Sequence, residues 1–203
     1  MFSVDLLKKK DIRMNKKYIL ISILLTIFSL HIEAKSSFDK LVNQADAVIE
    51  ILEKKEYEKL CDYIEETNGL YIADAINIPF KNYNYFTFEQ IKNISNEEII
   101  NIRINDDIQE SWNTSILNYF KKRFDISRDR LNKKSINKFI TDIDWYMGKE
   151  SILNELKDVY FVEYYFSPSG KYGDIDWLSV YVIFQKNKND FKLIAITRNY
   201  AGA

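Results

Sequence analysis

The sequence has little of what the commonest catalytic and metal sites need. Its 203 residues include one cysteine, Cys61, and one histidine, His31. A lone cysteine excludes an intramolecular disulfide, so Cys61 is interpreted as a small apolar residue of the core. The five glycines and two prolines exclude a collagen-like or low-complexity chain. With 46% apolar and 29% charged residues, the composition is that of an ordinary folded domain.

The N-terminus has the pattern of an export signal. Two lysines precede the apolar run Tyr18–Leu30, which is shorter than the roughly 20 residues that a membrane-spanning helix needs. Small residues follow, and Ala34 offers a cleavage site before Lys35, with a second site before Ser37. We therefore expect an exported protein, either periplasmic or secreted. An uncleaved membrane anchor is the alternative interpretation.

Removal of the signal peptide changes the net charge of the chain. We predict Met14 as the natural start, residues 1–34 as N-terminal extension and signal peptide, and residues 35–203 as a single domain. Residues 1–34 hold six of the 29 basic and three of the 30 acidic residues, which leaves 23 basic and 27 acidic residues and a net charge of −4. Such a domain has no electrostatic attraction for nucleic acid.

The loss of His31 with the signal is more decisive. A mature chain without histidine lacks the residues for Ser-His-Asp or Cys-His catalysis and for a Cys/His zinc site. We therefore predict no metal site and no cofactor. We also expect no stable membrane insertion after the signal is removed.

The mature chain starts with helical patterns. Apolar residues recur every three or four positions over Phe38–Leu52, and a shorter stripe covers Tyr57–Ile64. The two predict a helical hairpin that packs on a sheet. The middle of the chain is predicted to hold short elements: a strand over Leu70–Ile78, a helix capped by Thr87, a strand over Ile100–Ile104, a helix over Ile116–Phe120, a charged surface segment over Asp125–Lys134 and a helix over Ser135–Ile140.

The C-terminal third gives the clearest pattern. Three segments with β-branched and aromatic residues, Val159–Phe166, Leu178–Phe184 and Phe191–Thr197, are joined by short turns and predict an antiparallel meander. With the helices on one side, the fold class is α+β. Period-two alternation predicts that one face carries the apolar residues that the first helix covers: Val162, Tyr164, Leu178, Val180, Val182 and Phe184. Glu163 and Tyr165 are then on the opposite face.

The stretch FVEYYFSPSGKYGDIDWLSVYVIFQKNKNDFKLIAI resembles the C-terminal region of an uncharacterised family of exported bacterial proteins. The matching positions are Val162 to Phe166, Gly173, Asp176, Trp177, Ser179, Phe184, Phe191, Leu193 and Ile196. The resemblance implies a cone similar to the nuclear-transport-factor-2 (NTF2-like) superfamily, in which an N-terminal helical hairpin packs on a curved antiparallel sheet and a pocket is enclosed. The sequence departs from the family at Glu66-Thr67-Asn68, where relatives have His-Pro, and at Thr197-Arg198-Asn199-Tyr200, where they have His-Asp-x-Trp. Any activity that depends on those histidines is not expected here.

Five residues are candidates for a site. Glu163, Tyr165 and Asp176 are the candidate catalytic residues, since a carboxylate between aromatic side chains can act as a general base in a closed pocket. Trp177 and Arg198 are the candidate binding residues. Each has a structural alternative: Glu163 faces water or pairs with a basic neighbour, Asp176 bonds within its turn, Trp177 covers the core, and Arg198 is a solvated surface charge.

Two functions remain open. A non-catalytic module that binds a small molecule or a protein partner is favoured, because the sequence offers no clear acid–base pair. The alternative is a histidine-free enzyme that transfers a proton with a carboxylate and a tyrosine in the cone pocket. On the first hypothesis, replacing Glu163 by Gln changes stability by less than about 1 kcal/mol and removes no ligand binding. A homodimer is compatible with either.

Overall fold

The computed structural model describes residues 3–76, 78–94, 98–105, 110–140, 151–171, 175–188 and 190–200. The chain divides into two units, Met1–Leu41 and Val42–Ala203. Helix α1, Ser3–Lys54, runs through the first unit and begins the second.

The first unit carries exposed apolar side chains. The large apolar residues between Tyr18 and Phe28 that the structure describes are 47–65% exposed. Over the parts of the chain that the structure describes, no helix combines the length and the apolar character that crossing a membrane requires.

The second unit mixes short helices with a mostly antiparallel, curled sheet, which confirms the α+β class. In the described ranges the strands are β1 Leu70–Ala73, β2 Asn84–Phe86, β3 Ile99–Asn105, β4 Glu110–Ser115, β5 Leu131–Ile136, β6 Val159–Phe166, β7 Leu178–Asn187 and β8 Asp190–Tyr200. After α1, the α-helices among the described residues are α2 Phe88–Lys92, α3 Ile116–Arg123 and α4 Ile152–Glu155. Single 3₁₀ turns cover Tyr57–Asp62, Phe80–Asn82 and Arg128–Arg130.

The strands pair in the order β2-β1-β8-β7-β6-β5, and β3 pairs with β4 in a separate hairpin. Among the strands that the structure describes, the pairing of β1 with β8 is parallel and the others are antiparallel. The side chain of Asn84 on β2 joins the hairpin to the sheet, because its amide donates to the Arg103 carbonyl at 2.7 Å and accepts from the Arg103 N–H at 2.9 Å. A side-chain amide thus replaces a backbone pair at this edge.

The C-terminal meander forms as predicted. In the register of β6 and β7, Val162 lies opposite Val182 and Tyr164 opposite Val180. Of the six residues predicted on this face, five are buried and Leu178 is half-buried. Residues 42–54 of α1 lie on the same face, since Asp46 accepts a hydrogen bond from the Tyr164 hydroxyl at 2.7 Å. We call this side of the sheet the helix face.

The other side of the sheet is also covered. Residues of β1, β6, β7 and β8 form a second apolar cluster there, with Ile152 of α4 packed into it. The cluster contains Ala73, Ile76, Tyr83, Ile152, Phe161, Tyr181, Ile183, Ile194 and Ala195. Since Glu163 lies between Phe161 and Tyr165 in the alternation of β6, it is on this side, which we call the Glu163 face.

Three local predictions are wrong. The second arm of the helical hairpin is a 3₁₀ turn, and the strand expected over Leu70–Ile78 ends at Ala73. No helix forms over Ser135–Ile140: Ser135 and Ile136 are the end of β5, which begins inside the predicted surface segment and pairs with β6, and residues 137–140 follow the strand without helix. The weak local pattern of LNKKSI is overridden by that pairing. The capping box of Thr87 with Gln90, the strand at Ile100–Ile104 and the helix from Ile116 are confirmed.

Gly69 is required by the close approach of two segments. Its φ is +62°, in the left-handed region that favours glycine. A Cβ atom built there would lie 2.4 Å from the Phe86 carbonyl oxygen and 2.7 Å from the Tyr85 hydroxyl. The turn before β1 therefore accepts no side chain at this position.

Candidate functional site

Glu163 is fully buried, which is contrary to the first of its two structural alternatives, that it faces water. Its Oε1 atom accepts hydrogen bonds from the Ser179 hydroxyl at 2.7 Å and the Tyr181 hydroxyl at 3.1 Å, both from the neighbouring strand β7. Its Oε2 atom accepts from the Ile140 N–H at 2.5 Å. A buried carboxylate is tolerated when donors surround it in this way.

The hydroxyl groups around Glu163 are arranged as a row across the sheet. Tyr181 lies opposite Glu163 on one side and opposite Thr197 of β8 on the other. The Thr197 side chain is fully buried, and its hydroxyl has no hydrogen-bond partner among the residues that the structure describes. The tyrosine that meets the carboxylate is thus Tyr181, whereas the sequence had indicated Tyr165.

Tyr165 and Trp177 contact each other instead. Their ring centroids are 6.1 Å apart, and both side chains are half-buried. Tyr165 is paired with Ser179 on one side and Lys133 on the other. The pair forms an aromatic contact at one end of the Glu163 face.

Asp176 organises its own loop. It accepts from the Ser169 N–H at 2.9 Å and from the Ser169 hydroxyl at 2.5 Å, and its Oδ2 atom lies 3.8 Å from the Arg130 guanidinium. The hydrogen bond from the Ser169 hydroxyl is the main cause that lowers the pKa of Asp176 below its ordinary value. Asp176 therefore forms local hydrogen bonds, as its structural alternative predicted. Its partner is Ser169, seven residues earlier in the chain.

Arg198 is not a solvated surface charge. The residue is 8% exposed, its Nε atom donates to Asp74 at 3.2 Å, and its guanidinium lies 4.1 Å from the ring centroid of Tyr200. Asp74 also faces Arg123, with 3.2 Å between the charged atoms. Burial raises the pKa of Asp74, and the two arginines oppose that shift. Arg198 therefore takes part in a largely buried ion cluster.

An open groove of about 430 Å³ lies on the helix face, and none of the five candidates lines it. One wall is α1, which contributes Asn43, Asp46, Ala47, Ile49 and Glu50. Their spacing of three and four residues puts them on neighbouring positions of the helix surface. The other wall consists of Arg128, Leu131, Lys134 and Tyr164, from the 3₁₀ turn, β5 and β6.

Asp46 accepts hydrogen bonds from two other residues that line the groove. Lys134 donates to both of its carboxylate oxygens at 2.9 Å, and the Tyr164 hydroxyl donates to Oδ1 at 2.7 Å. Burial of the phenol, followed by its hydrogen bond to Asp46, raises the pKa of Tyr164 well above its ordinary value. Tyr164 therefore stays protonated near neutral pH and serves as a hydrogen-bond donor.

Arg128 is the second basic residue that lines the groove. Its N–H donates to Glu53 at 2.9 Å, its Nη2 atom donates to the Asp46 carbonyl at 3.0 Å, and the same nitrogen is 3.9 Å from Glu50. The side chains of Asp46, Glu50, Arg128 and Lys134 are 36–45% exposed. Ion pairs of such exposure contribute only about 0–1 kcal/mol each, so a ligand can replace them at low cost.

Sequence reasoning missed this groove because its walls are distant in the chain. Asp46 and Glu50 do stand one helical turn apart on the predicted helix, which is a readable signal. Lys134, however, belonged to a segment predicted to lack a strand. Only the pairing of β5 with β6 brings Lys134 beside Tyr164.

Comparison with known proteins adds no assignment. No family model matches the sequence, and no curated protein matches it either. Within the described ranges, no group of three or more histidine, cysteine, aspartate or glutamate side chains is placed to hold a metal ion.

Proposed function

We propose that this chain is an exported, non-catalytic binding module that holds a small polar molecule in the groove on the helix face. The observation that carries the proposal is the groove itself, whose volume of about 430 Å³ is in the range of small-molecule sites. Its walls offer hydrogen-bonding groups of both charges above an apolar floor. The NTF2-like cone and the relation to the exported family are parts of the same proposal, supported by the mostly antiparallel, curled sheet with helices against it.

The test is a ligand-observed NMR screen of small polar metabolites against the protein as its host produces it. Ala47→Phe puts a ring into the groove from a half-buried position of α1, so we expect it to abolish the binding of hits. Asn118→Phe is the matched control, since it adds the same ring at an exposed position of α3. Hits that survive Ala47→Phe, or a screen without hits, would contradict the proposal.

Export is supported by the exposed apolar side chains between Tyr18 and Phe28, since a folded domain seldom exposes so many in succession. We expect mass spectrometry of the protein from its host to find an N-terminus at Lys35 or Ser37. An intact chain that begins at Met1 or Met14 in the cell envelope would show that the signal is not cleaved.

A histidine-free enzyme is the second candidate. It is favoured by the contact between the Glu163 carboxylate and the Tyr181 hydroxyl, because this is the pair of groups that a proton-transfer reaction without histidine needs. It is disfavoured by the complete burial of Glu163, whose two oxygens already accept hydrogen bonds from the protein.

A further inference from the structure

We infer that the ligand of the groove is a small zwitterion of amino-acid size, with its cationic group at the α1 wall and its anionic group at the Lys134–Arg128 wall. This inference rests on the proposed binding function and narrows it to one class of molecule.

The charges of the two walls oppose each other. Asp46 and Glu50 line the α1 wall, whereas Lys134 and Arg128 line the facing wall. The groove therefore holds two charges of each sign. A ligand with a single charge would be attracted by one wall and repelled by the other. A zwitterion can place each of its two charges beside the wall of opposite charge.

The ion pairs inside the groove are exchangeable. Lys134 and Asp46 are 36% and 42% exposed, and Arg128, which is 41% exposed, lies 3.9 Å from Glu50 and 3.3 Å from Glu53. When a zwitterion enters, its ammonium takes the place of Lys134 beside Asp46 and its carboxylate takes the place of Asp46 beside Lys134, so one ion pair inside the groove is exchanged for two with the ligand. The hydrogen bond from the Tyr164 hydroxyl to Asp46 does not have to break for this exchange.

The size of the groove and its apolar floor limit the length of the ligand. The groove of about 430 Å³ has room for a ligand of amino-acid size. Ala47, Ile49 and Leu131 supply apolar surface to its lining. A few methylene groups between an ammonium and a carboxylate would contact that apolar surface, and γ-aminobutyrate is a simple probe of this kind.

The test compares three probes of similar size: γ-aminobutyrate, butyrate and n-butylamine. Each is titrated at one ionic strength into the isotope-labelled protein, and the dissociation constant is taken from amide chemical shifts. We expect γ-aminobutyrate to bind at least tenfold more tightly than either singly charged probe. The shifts should map to α1 and β5.

Charge-neutralising variants assign each end of the ligand. Lys134→Gln is expected to weaken the binding of γ-aminobutyrate at least tenfold and to leave the binding of n-butylamine unchanged. Asp46→Asn should weaken the binding of γ-aminobutyrate and leave that of butyrate unchanged. Asn retains an oxygen that accepts from Tyr164, which protects the fold. The control is Lys133→Gln, which makes the same change one residue away on the opposite side of β5 and should leave all three constants within twofold.

The outcomes separate the two proposals. If a singly charged probe binds within threefold of γ-aminobutyrate, or if only uncharged library compounds bind in the groove, the zwitterion inference is wrong and the binding function stands. If no probe shifts a groove amide and Ala47→Phe changes no library hit, both are wrong.

Discussion

Replacing Phe184 by Ala is expected to lower the free energy of unfolding by about 3–5 kcal/mol, because truncation of a buried aromatic ring removes its transfer free energy and leaves a cavity. Phe184 is fully buried on the helix face, where β7 places it opposite Tyr160 of β6 and Leu193 of β8. The register of β7 with β8 shifts between Ile183 and Phe184, so the ring sits where the strand is already irregular. Neighbouring side chains held by backbone pairing on both sides of β7 cannot collapse into the space.

The measurement is urea unfolding of the purified protein, followed by circular dichroism and tryptophan fluorescence. Ile175→Ala is the control, since Ile175 is 49% exposed and its truncation should change the free energy by less than about 0.5 kcal/mol. A loss below about 1.5 kcal/mol for Phe184→Ala, with an unchanged dependence on urea, would show that the helix face does not hold the main core. Against a total stability of about 5–15 kcal/mol, the expected loss is easily measured.

The C-terminal half of the sheet was predictable because its signal is local. Alternation over Val159–Phe166 and Leu178–Phe184 marks each strand, and the short turn near Lys188 permits only an antiparallel hairpin. The middle of the chain follows other rules. β5 has hardly any apolar alternation of its own and forms a strand because it pairs with the edge of β6. Since the two segments are distant in the sequence, no local pattern indicates that pairing.

The candidate sites were also predictable only where the signal is local. Period-two alternation places Glu163 and Tyr164 on opposite faces, and the structure agrees. What alternation cannot give is the environment of each face. The burial of Glu163 was not predicted, because the second cover of the sheet, with Ile140 and Ile152, comes from segments without a clear pattern. The groove depends on Asp46, Arg128 and Lys134, which are brought together from three elements.

The burial of Glu163 changes the effect expected for its replacement. Glu163→Gln keeps the shape of the side chain and substitutes an NH₂ group for one carboxylate oxygen. If the remaining oxygen keeps the Ser179 and Tyr181 hydroxyls, the new NH₂ group faces the Ile140 N–H, and two donors are left opposed. If the amide turns over, the two hydroxyls must reorient instead. Either arrangement leaves a buried polar group unsatisfied, so we expect a loss of about 1–3 kcal/mol in the free energy of unfolding.

Glu155→Gln is the matched control, because it makes the same chemical change at an exposed position of α4 and should alter stability by less than about 0.5 kcal/mol. The same two variants separate the functional hypotheses. Glu163 lies on the face opposite the groove, so a binding module should keep its affinity for γ-aminobutyrate within twofold when Glu163 becomes Gln. An enzyme that uses the Glu163–Tyr181 pair would lose its activity in that variant while Glu155→Gln retained it. A purely structural carboxylate affects a reaction only through stability. A loss of catalysis under conditions where the Glu163→Gln variant remains folded would therefore contradict the binding hypothesis and support the proton-transfer enzyme.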